Sequence, residues 1–201
     1  MSLIDNASRL ILASSSPRRL QILRAHRHNP QVFSPEIDES LDASISLADL
    51  PIALEQLALA KAHSVLSQLS LADSELAIII AADTVVYFDR ILGKPQNHDE
   101  AVAMLVSLRG KTHTVLTSMA VIAMPTGIER TLTETARVTF GDYSLEQIER
   151  YLVDEPPFDK AGSYAIQGIW GKQVVSVEGD IETVIGLPYS SLEALLHEVR
   201  L

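Results

Sequence analysis

A chain of 201 residues, 47% hydrophobic and 21% charged, has the length and apolar content for a globular core and excludes global disorder. Sixteen Lys and Arg against 26 Asp and Glu give a formal net charge of −10, which argues against general binding of duplex nucleic acid, whose phosphates repel such a chain. Cysteine is absent, which removes disulfides, thiolate catalysis, zinc–cysteine sites and iron–sulfur clusters together.

The first 19 residues lack a basic n-region, and their apolar stretch Leu10–Ala13 is too short for a signal h-region. The longest apolar run, Leu76–Ala82, is far below the ~20 residues of a membrane span. A soluble, intracellular, cytoplasmic protein with no membrane partner is expected.

Leu10–Ala13 reads as a short buried strand. Ser16-Pro17 then supplies an N-cap and a proline for the first turn of a helix that runs through Leu20 and Leu23 and stops before Asn29-Pro30. The polar stretch Ser34–Ser46 reads as a surface loop. Pro51 opens a longer helix to about Leu69, with an apolar stripe at Leu54, Leu57, Ala58, Ala62, Val65 and Leu69. Lys61 falls in phase with that stripe, and an inward ammonium needs a partner. Leu76–Ala82 has the continuous apolar pattern of a strand covered on both faces, and it continues past Asp83-Thr84 into Val85–Phe88. Asp89-Arg90 turns the chain back through Ile91-Leu92 to Gly93-Lys94-Pro95, and Pro95–His98 marks the expected boundary between two lobes.

Asp99–Leu108 reads as a helix with Ala101, Met104, Leu105 and Leu108 inward, stopped by Gly110. Val115–Met124 and Ile128–Phe140 are long extended segments joined by Pro125-Thr126-Gly127, a hairpin. Ser144 caps a helix to about Val153, and Glu155–Gly171 is irregular. Val174–Val177 and Ile181–Ile185 around Glu178-Gly179-Asp180 predict a second hairpin, and Ser190 with Glu193 predicts a capping box on a final helix. The order of elements points to an α/β or α+β domain on a mixed sheet.

The motifs GxGxxG, GxSxG and HExxH are absent. Gly110-Lys111-Thr112 resembles the tail of a phosphate loop, but the required leading glycine is Leu105 and the segment ends a helix instead of opening one. Ser14-Ser15-Ser16-Pro17-Arg18-Arg19 sits at a strand-to-helix turn, where free N–H groups and the helix dipole favour an anion. Its hydroxyls and guanidiniums suit phosphate; equally, the segment reads as a capped helix with two solvated arginines. Asp83, at the end of the most apolar segment, is placed to hold a divalent metal or to take a proton from water, or else to bond its own turn. Lys94 and Lys160 read singly as surface lysines, whereas Lys61, phased inward, is placed to pair with Asp83 or a phosphate. The loop Glu36-Ile37-Asp38-Glu39 offers a carboxylate to a magnesium site, or is simply solvated.

Together these segments resemble, over nearly the whole chain, the Maf family of nucleoside triphosphate pyrophosphatases. The strand and turn L-A-S-x-S-P-R-R stand as Leu12–Arg19, I-D-E as Ile37-Asp38-Glu39, and the helical A-x-x-K-A as Ala58–Ala62. G-A-D-T-V-V appears as Ala81–Val86 with alanine for the first glycine, and L-G-K-P as Leu92–Pro95. S-G-K-x-H-x-V matches Arg109–Val115, and Asp159–Gly168 carries D-K-A-G-x-Y-x-I-Q-G.

The resemblance implies a Maf/ITPase-like α/β fold: one domain of two lobes, with an elongated mixed sheet, flanking helices and a central cleft. It implies hydrolysis of a nucleoside triphosphate to the monophosphate and pyrophosphate with a divalent metal cation, Mg2+ or Mn2+, as house-cleaning of nucleotides. The family's proton acceptor maps onto Asp83, and its phosphate contacts onto Ser14, Arg19, Lys61 and Lys94. Its metal-associated acids map onto Glu39 and Asp83. The glutamine segment resembles the branch acting on dTTP and UTP, whose specificity residues map onto Arg18, Thr84 and Gln167.

A triphosphate carries roughly four negative charges near neutral pH, so an anionic chain must focus cations to hold it. The Gln167 amide, donor and acceptor at once, matches the imide edge shared by uracil and thymine and disfavours cytosine. Departures from the family pattern at Ser118-Met119, Pro156-Pro157-Phe158 and Ile169-Trp170-Gly171 bear on base preference more than on the chemistry. The resemblance leaves two alternatives open, a pyrophosphatase for modified bases such as 7-methyl-GTP and a nucleotide-binding regulator of septum formation and cell division. The family often forms homodimers.

Overall fold

The computed structural model describes residues 9–42, 44–70, 76–124 and 126–199. The segment before Arg9, and Pro125 of the expected first hairpin, lie outside these. Strand β1 (Arg9–Ala13) leads through Ser16 into helix α1 (Pro17–Ala25), then β2 (Gln31–Phe33) and α2 (Leu50–Gln68). Strand β3 (Ala77–Phe88) turns into β4 (Arg90–Leu92), followed by α3 (His98–Leu108), β5 (Thr112–Ala123), β6 (Ile128–Phe140) and α4 (Leu145–Asp154). Two 3-10 turns, Ala161–Ser163 and Ile169–Gln173, precede β7 (Val174–Glu178), α5 (Ile181–Ile185) and α6 (Tyr189–Glu198).

The strands form one mixed sheet in the order β2-β1-β3-β5-β6-β7, with β4 folded back on β3. β1 is parallel to β2 and β3; the other pairs are antiparallel. The long strand β3 is covered on both faces, which is why its sequence runs apolar without alternation. Ile80 and Ala82 pack with Leu23 of α1 and Leu192 of α6, while Ile79 and Ala81 pack with Ala62 and Val65 of α2. Further along, Val86 joins α3, α4 and an aromatic group of Phe140, Tyr143, Tyr151, Tyr164 and Trp170; Val85 meets Leu50 and Leu54.

The pairings of β3 leave a notch in the sheet. On its outer edge β1 pairs only as far as Ala81, and β4 begins pairing at Val86. Asp83 and Thr84 therefore lie where that edge is unpaired and where the apolar clusters part. Successive strand residues point to opposite faces, so Asp83 turns toward α2 and Thr84 toward α1 and α5.

Three local expectations are corrected. Glu178-Gly179-Asp180 joins β7 to a helix, not to a second strand of a hairpin: the Asp180 carboxylate caps α5 by accepting from the Glu182 N–H at 2.9 Å, and β7 pairs with β6. The final helix begins at Tyr189 without a Ser190–Glu193 box, because the Glu182 carboxylate from α5 accepts the Tyr189 N–H at 2.9 Å. Ser16 does stand at the N-cap of α1, yet its hydroxyl makes no cap bond; the Ser14 hydroxyl accepts the Ser16 N–H at 3.2 Å instead. The three-residue strand β2 carries no alternation long enough to announce it. Among the described residues no helix is long and apolar enough to cross a membrane.

Candidate active site

A cavity of about 660 Å³ opens at the notch, and residues from widely separated stretches of sequence line it. The turn after β1 contributes Ser14, and α1 contributes Arg18 and Arg19; the acidic loop contributes Glu39, and α2 contributes Lys61. β3 brings Asp83 and Thr84, the turn after β4 brings Lys94, and the loop after α4 brings Gln167. Every site residue expected from the sequence thus reaches one cavity.

Lys61 is on the inward stripe of α2, as its helical phase requires, and its side chain is only 3% exposed. Burying an ammonium is costly unless counter-charges replace its water. Two carboxylates do so: Asp83 through Oδ1, and Glu39 through Oε2 at 3.0 Å. Asp83 is mostly covered, at 14% exposure, and Glu39 remains open to solvent at 41%.

Arg19 faces this triad from the other side of the strand. Its Nε donates to the Gly186 carbonyl at 2.9 Å, its Nη1 to the Ser14 hydroxyl at 3.0 Å and its Nη2 to the Thr84 hydroxyl at 3.2 Å. Burial pulls the guanidinium below its ordinary value, the charges of Asp83 and Glu39 oppose this, and Arg18 adds to the lowering. Gly186 ends α5 at φ 119, and a Cβ there would stand 3.1 Å from the Thr84 hydroxyl oxygen. Only glycine lets that carbonyl reach Arg19 without crowding Thr84.

Arg18 crosses the mouth of the cleft to Asp159 at 3.2 Å, and Lys160 pairs with the same carboxylate at 2.7 Å. Desolvation raises the Asp159 carboxyl, but bonds and charge from Lys160 and Arg18 outweigh it and leave the group below its ordinary value. The Lys94 ammonium has no ion-pair partner among the described residues. Gln167 is held by the geometry of its loop: the Glu155 carboxylate accepts the Ile169 N–H at 2.8 Å, and a Cβ on Gly168 would come within 2.2 Å of that carboxylate. A side chain at 168 would therefore displace either Glu155 or the loop carrying Gln167.

Several contributors were not singled out from the sequence. Thr117, directly opposite Thr84 on β5, bonds its hydroxyl, and the short helix α5 supplies the Gly186 carbonyl. Asp159 holds Arg18 and Glu155 holds the loop beside Gln167. Lys160, expected to be a surface lysine, instead lines the cavity with its side chain 13% exposed.

Among the described residues no three His, Asp or Glu side chains cluster as a ready-made metal site. Asp83 and Glu39, brought together by Lys61, offer two carboxylates to the cavity. That donor set suits a magnesium-like cation that takes its remaining ligands from phosphate and water.

The chain is 41% identical over 187 residues to the dTTP/UTP pyrophosphatase of Bacillus cereus, covering 92% of each chain. It is 41% identical over 194 residues to that of Caldicellulosiruptor bescii, covering 95% of this chain and 94% of the relative. With that of Moorella thermoacetica it shares 41% identity over 191 residues, 94% of each. Among solved structures, the Staphylococcus aureus Ham1 protein superposes with a TM-score of 0.47 at 12% identity, covering 96% of this chain and 100% of that one. The family model described as Maf-like protein matches residues 9–199, and the chain belongs to the Maf family.

Proposed function

We propose that the protein hydrolyses dTTP and UTP between the α and β phosphates, giving the nucleoside monophosphate and pyrophosphate. The observation that carries this reading is the Lys61–Asp83–Glu39 cluster sharing one cavity with Arg19. It places a carboxylate and a focus of positive charge together inside a chain of net charge −10. The names of the relatives, dTTP/UTP pyrophosphatases at 41% identity, point the same way.

In this reading Ser14, Arg19 and Lys94 receive the phosphates, and Lys61 orients Asp83. The ammonium engages Oδ1 of Asp83 and leaves Oδ2 without a partner among the described residues. A water attacks the α phosphorus, Asp83 accepts its proton, the water oxygen bonds to phosphorus, and the bond to the bridging oxygen breaks to release pyrophosphate. A Mg2+ or Mn2+ ion held by Asp83 and Glu39 would offset triphosphate charge and stabilise the leaving pyrophosphate. Gln167, with Arg18 and Thr84, reads the pyrimidine imide edge. The two lobes about the cleft act as a single domain.

The test is a panel of dTTP, UTP, CTP and GTP with magnesium or manganese, assayed for pyrophosphate. Release is expected from dTTP and UTP, and less from CTP and GTP. No release from any of the four with either metal would end the proposal.

A further inference from the structure

Thr117 has no substrate-facing role in the reading above and no exposure to solvent. It stands across from Thr84 in the β3–β5 ladder. A threonine hydroxyl has one hydrogen to give and two lone pairs to offer. Thr117 gives its hydrogen to the Thr183 carbonyl at 2.7 Å, a group that only accepts. The 2.9 Å contact between the Thr84 and Thr117 hydroxyls therefore has Thr84 as donor. Thr84, its hydrogen spent, offers only lone pairs toward Arg19, whose Nη2 donates to it at 3.2 Å. All hydrogens from Arg19 through Thr84 and Thr117 to α5 run in one direction.

This polarity matters because Arg19 cannot accept a hydrogen bond. A guanidinium has five N–H groups in a rigid fork. Three are taken by Gly186, Ser14 and Thr84, which leaves one on each terminal nitrogen without a partner among the described residues. If the Thr84 hydrogen were free to rotate toward Arg19, two donors would face each other and the fork would tilt. The Thr183 carbonyl lies in the short helix α5 and Gly186 caps its C-terminal end, so the relay and the Nε contact hold Arg19 against one support.

We propose that Thr117 is a positioning residue for phosphate binding: by fixing the direction of the Thr84 hydroxyl it sets the angle at which Arg19 presents its two remaining N–H groups. This inference rests on the phosphate-binding role given to Arg19 under the proposed function.

The test compares wild type, Thr117→Val and Thr117→Ser. Each is titrated calorimetrically with inorganic pyrophosphate and magnesium, assayed for KM and kcat with UTP, and melted. Valine keeps the shape and removes the hydroxyl; serine restores the hydroxyl. Losing one hydrogen bond of this kind should raise the pyrophosphate Kd and the KM for UTP about tenfold in Thr117→Val. The kcat should stay within about threefold, and Thr117→Ser should return both constants to near wild type. A merely structural threonine would lower the melting temperature and leave the constants alone. Constants within twofold of wild type in a folded Thr117→Val protein overturn the proposal, as does a folded serine variant that fails to restore them. If the valine variant does not fold, Thr117→Ala set against Thr117→Ser carries the same comparison, and the same two outcomes overturn the proposal. A wild-type protein that binds pyrophosphate but releases none from UTP overturns the proposed activity alone; the Kd comparison then decides this inference by itself.

Discussion

Lys61 shows what a single residue can declare. Its place on the apolar stripe of α2 required a buried counter-charge, and it finds two, on Asp83 and Glu39. Asp83 is the group whose loss should be most specific. Replacing it by asparagine leaves Lys61 paired to Glu39, so the fold should survive while pyrophosphate release falls about a thousandfold, within the range of a lost general base. A release assay beside a thermal melt checks this, and a folded Asp83→Asn protein turning over at the wild-type rate excludes the residue from proton transfer. The residues that escaped a reading of the sequence share a physical reason. Arg19 meets Gly186 across 167 positions, and Thr117 meets Thr84 across 33. No local pattern encodes such contacts; they exist only once the sheet has formed.

At the scale of elements, legibility follows length and local chemistry. The long helices and strands were visible because their apolar spacing persists through several periods. The cap of α4 was visible because it is built within four residues: the Ser144 hydroxyl accepts the Gln147 N–H, and the Gln147 side chain returns to the Ser144 N–H. Ser144→Ala should therefore cost about 1 kcal/mol, read as a lower urea midpoint with pyrophosphate release unchanged. An unchanged midpoint would mean that α4 is held by tertiary packing of Ile148, Tyr151 and Leu152 alone. In the last quarter of the chain the strand beginning at Val174 and the final helix are legible, whereas the helix at Ile181–Ile185 and the cap of the final helix are not, for the converse reason. The helix α5 has five residues, too few to display a period, and α6 takes its cap from Glu182 on a different helix.

For the molecule as a whole, the notch between β1 and β4 decides where chemistry can happen, because it interrupts two well-packed apolar regions at Asp83 and Thr84. The packing also carries a pH dependence. His113, buried beside Phe140 and bonded to the Tyr164 hydroxyl at 2.8 Å, is lowered by desolvation to about 4. The unfolded chain protonates the same ring near its ordinary value of 6.5. Between these values the unfolded state binds the extra proton, so stability is complete above about pH 6.5 and declines as pH falls toward 4, by up to about 3 kcal/mol. His28 is lowered too, by burial and then by the charge of His26, and acts in the same direction. Urea midpoints at pH 7.5 and pH 5 should differ in wild type and differ less in His113→Gln; equal differences in the two proteins would remove His113 as a source. The chemistry assigned to the notch is tested most directly by hydrolysing UTP in water enriched in oxygen-18 and weighing both products. Attack at the α phosphorus beside Asp83 places the label in UMP and none in pyrophosphate; label in pyrophosphate, or release of orthophosphate in its place, contradicts it.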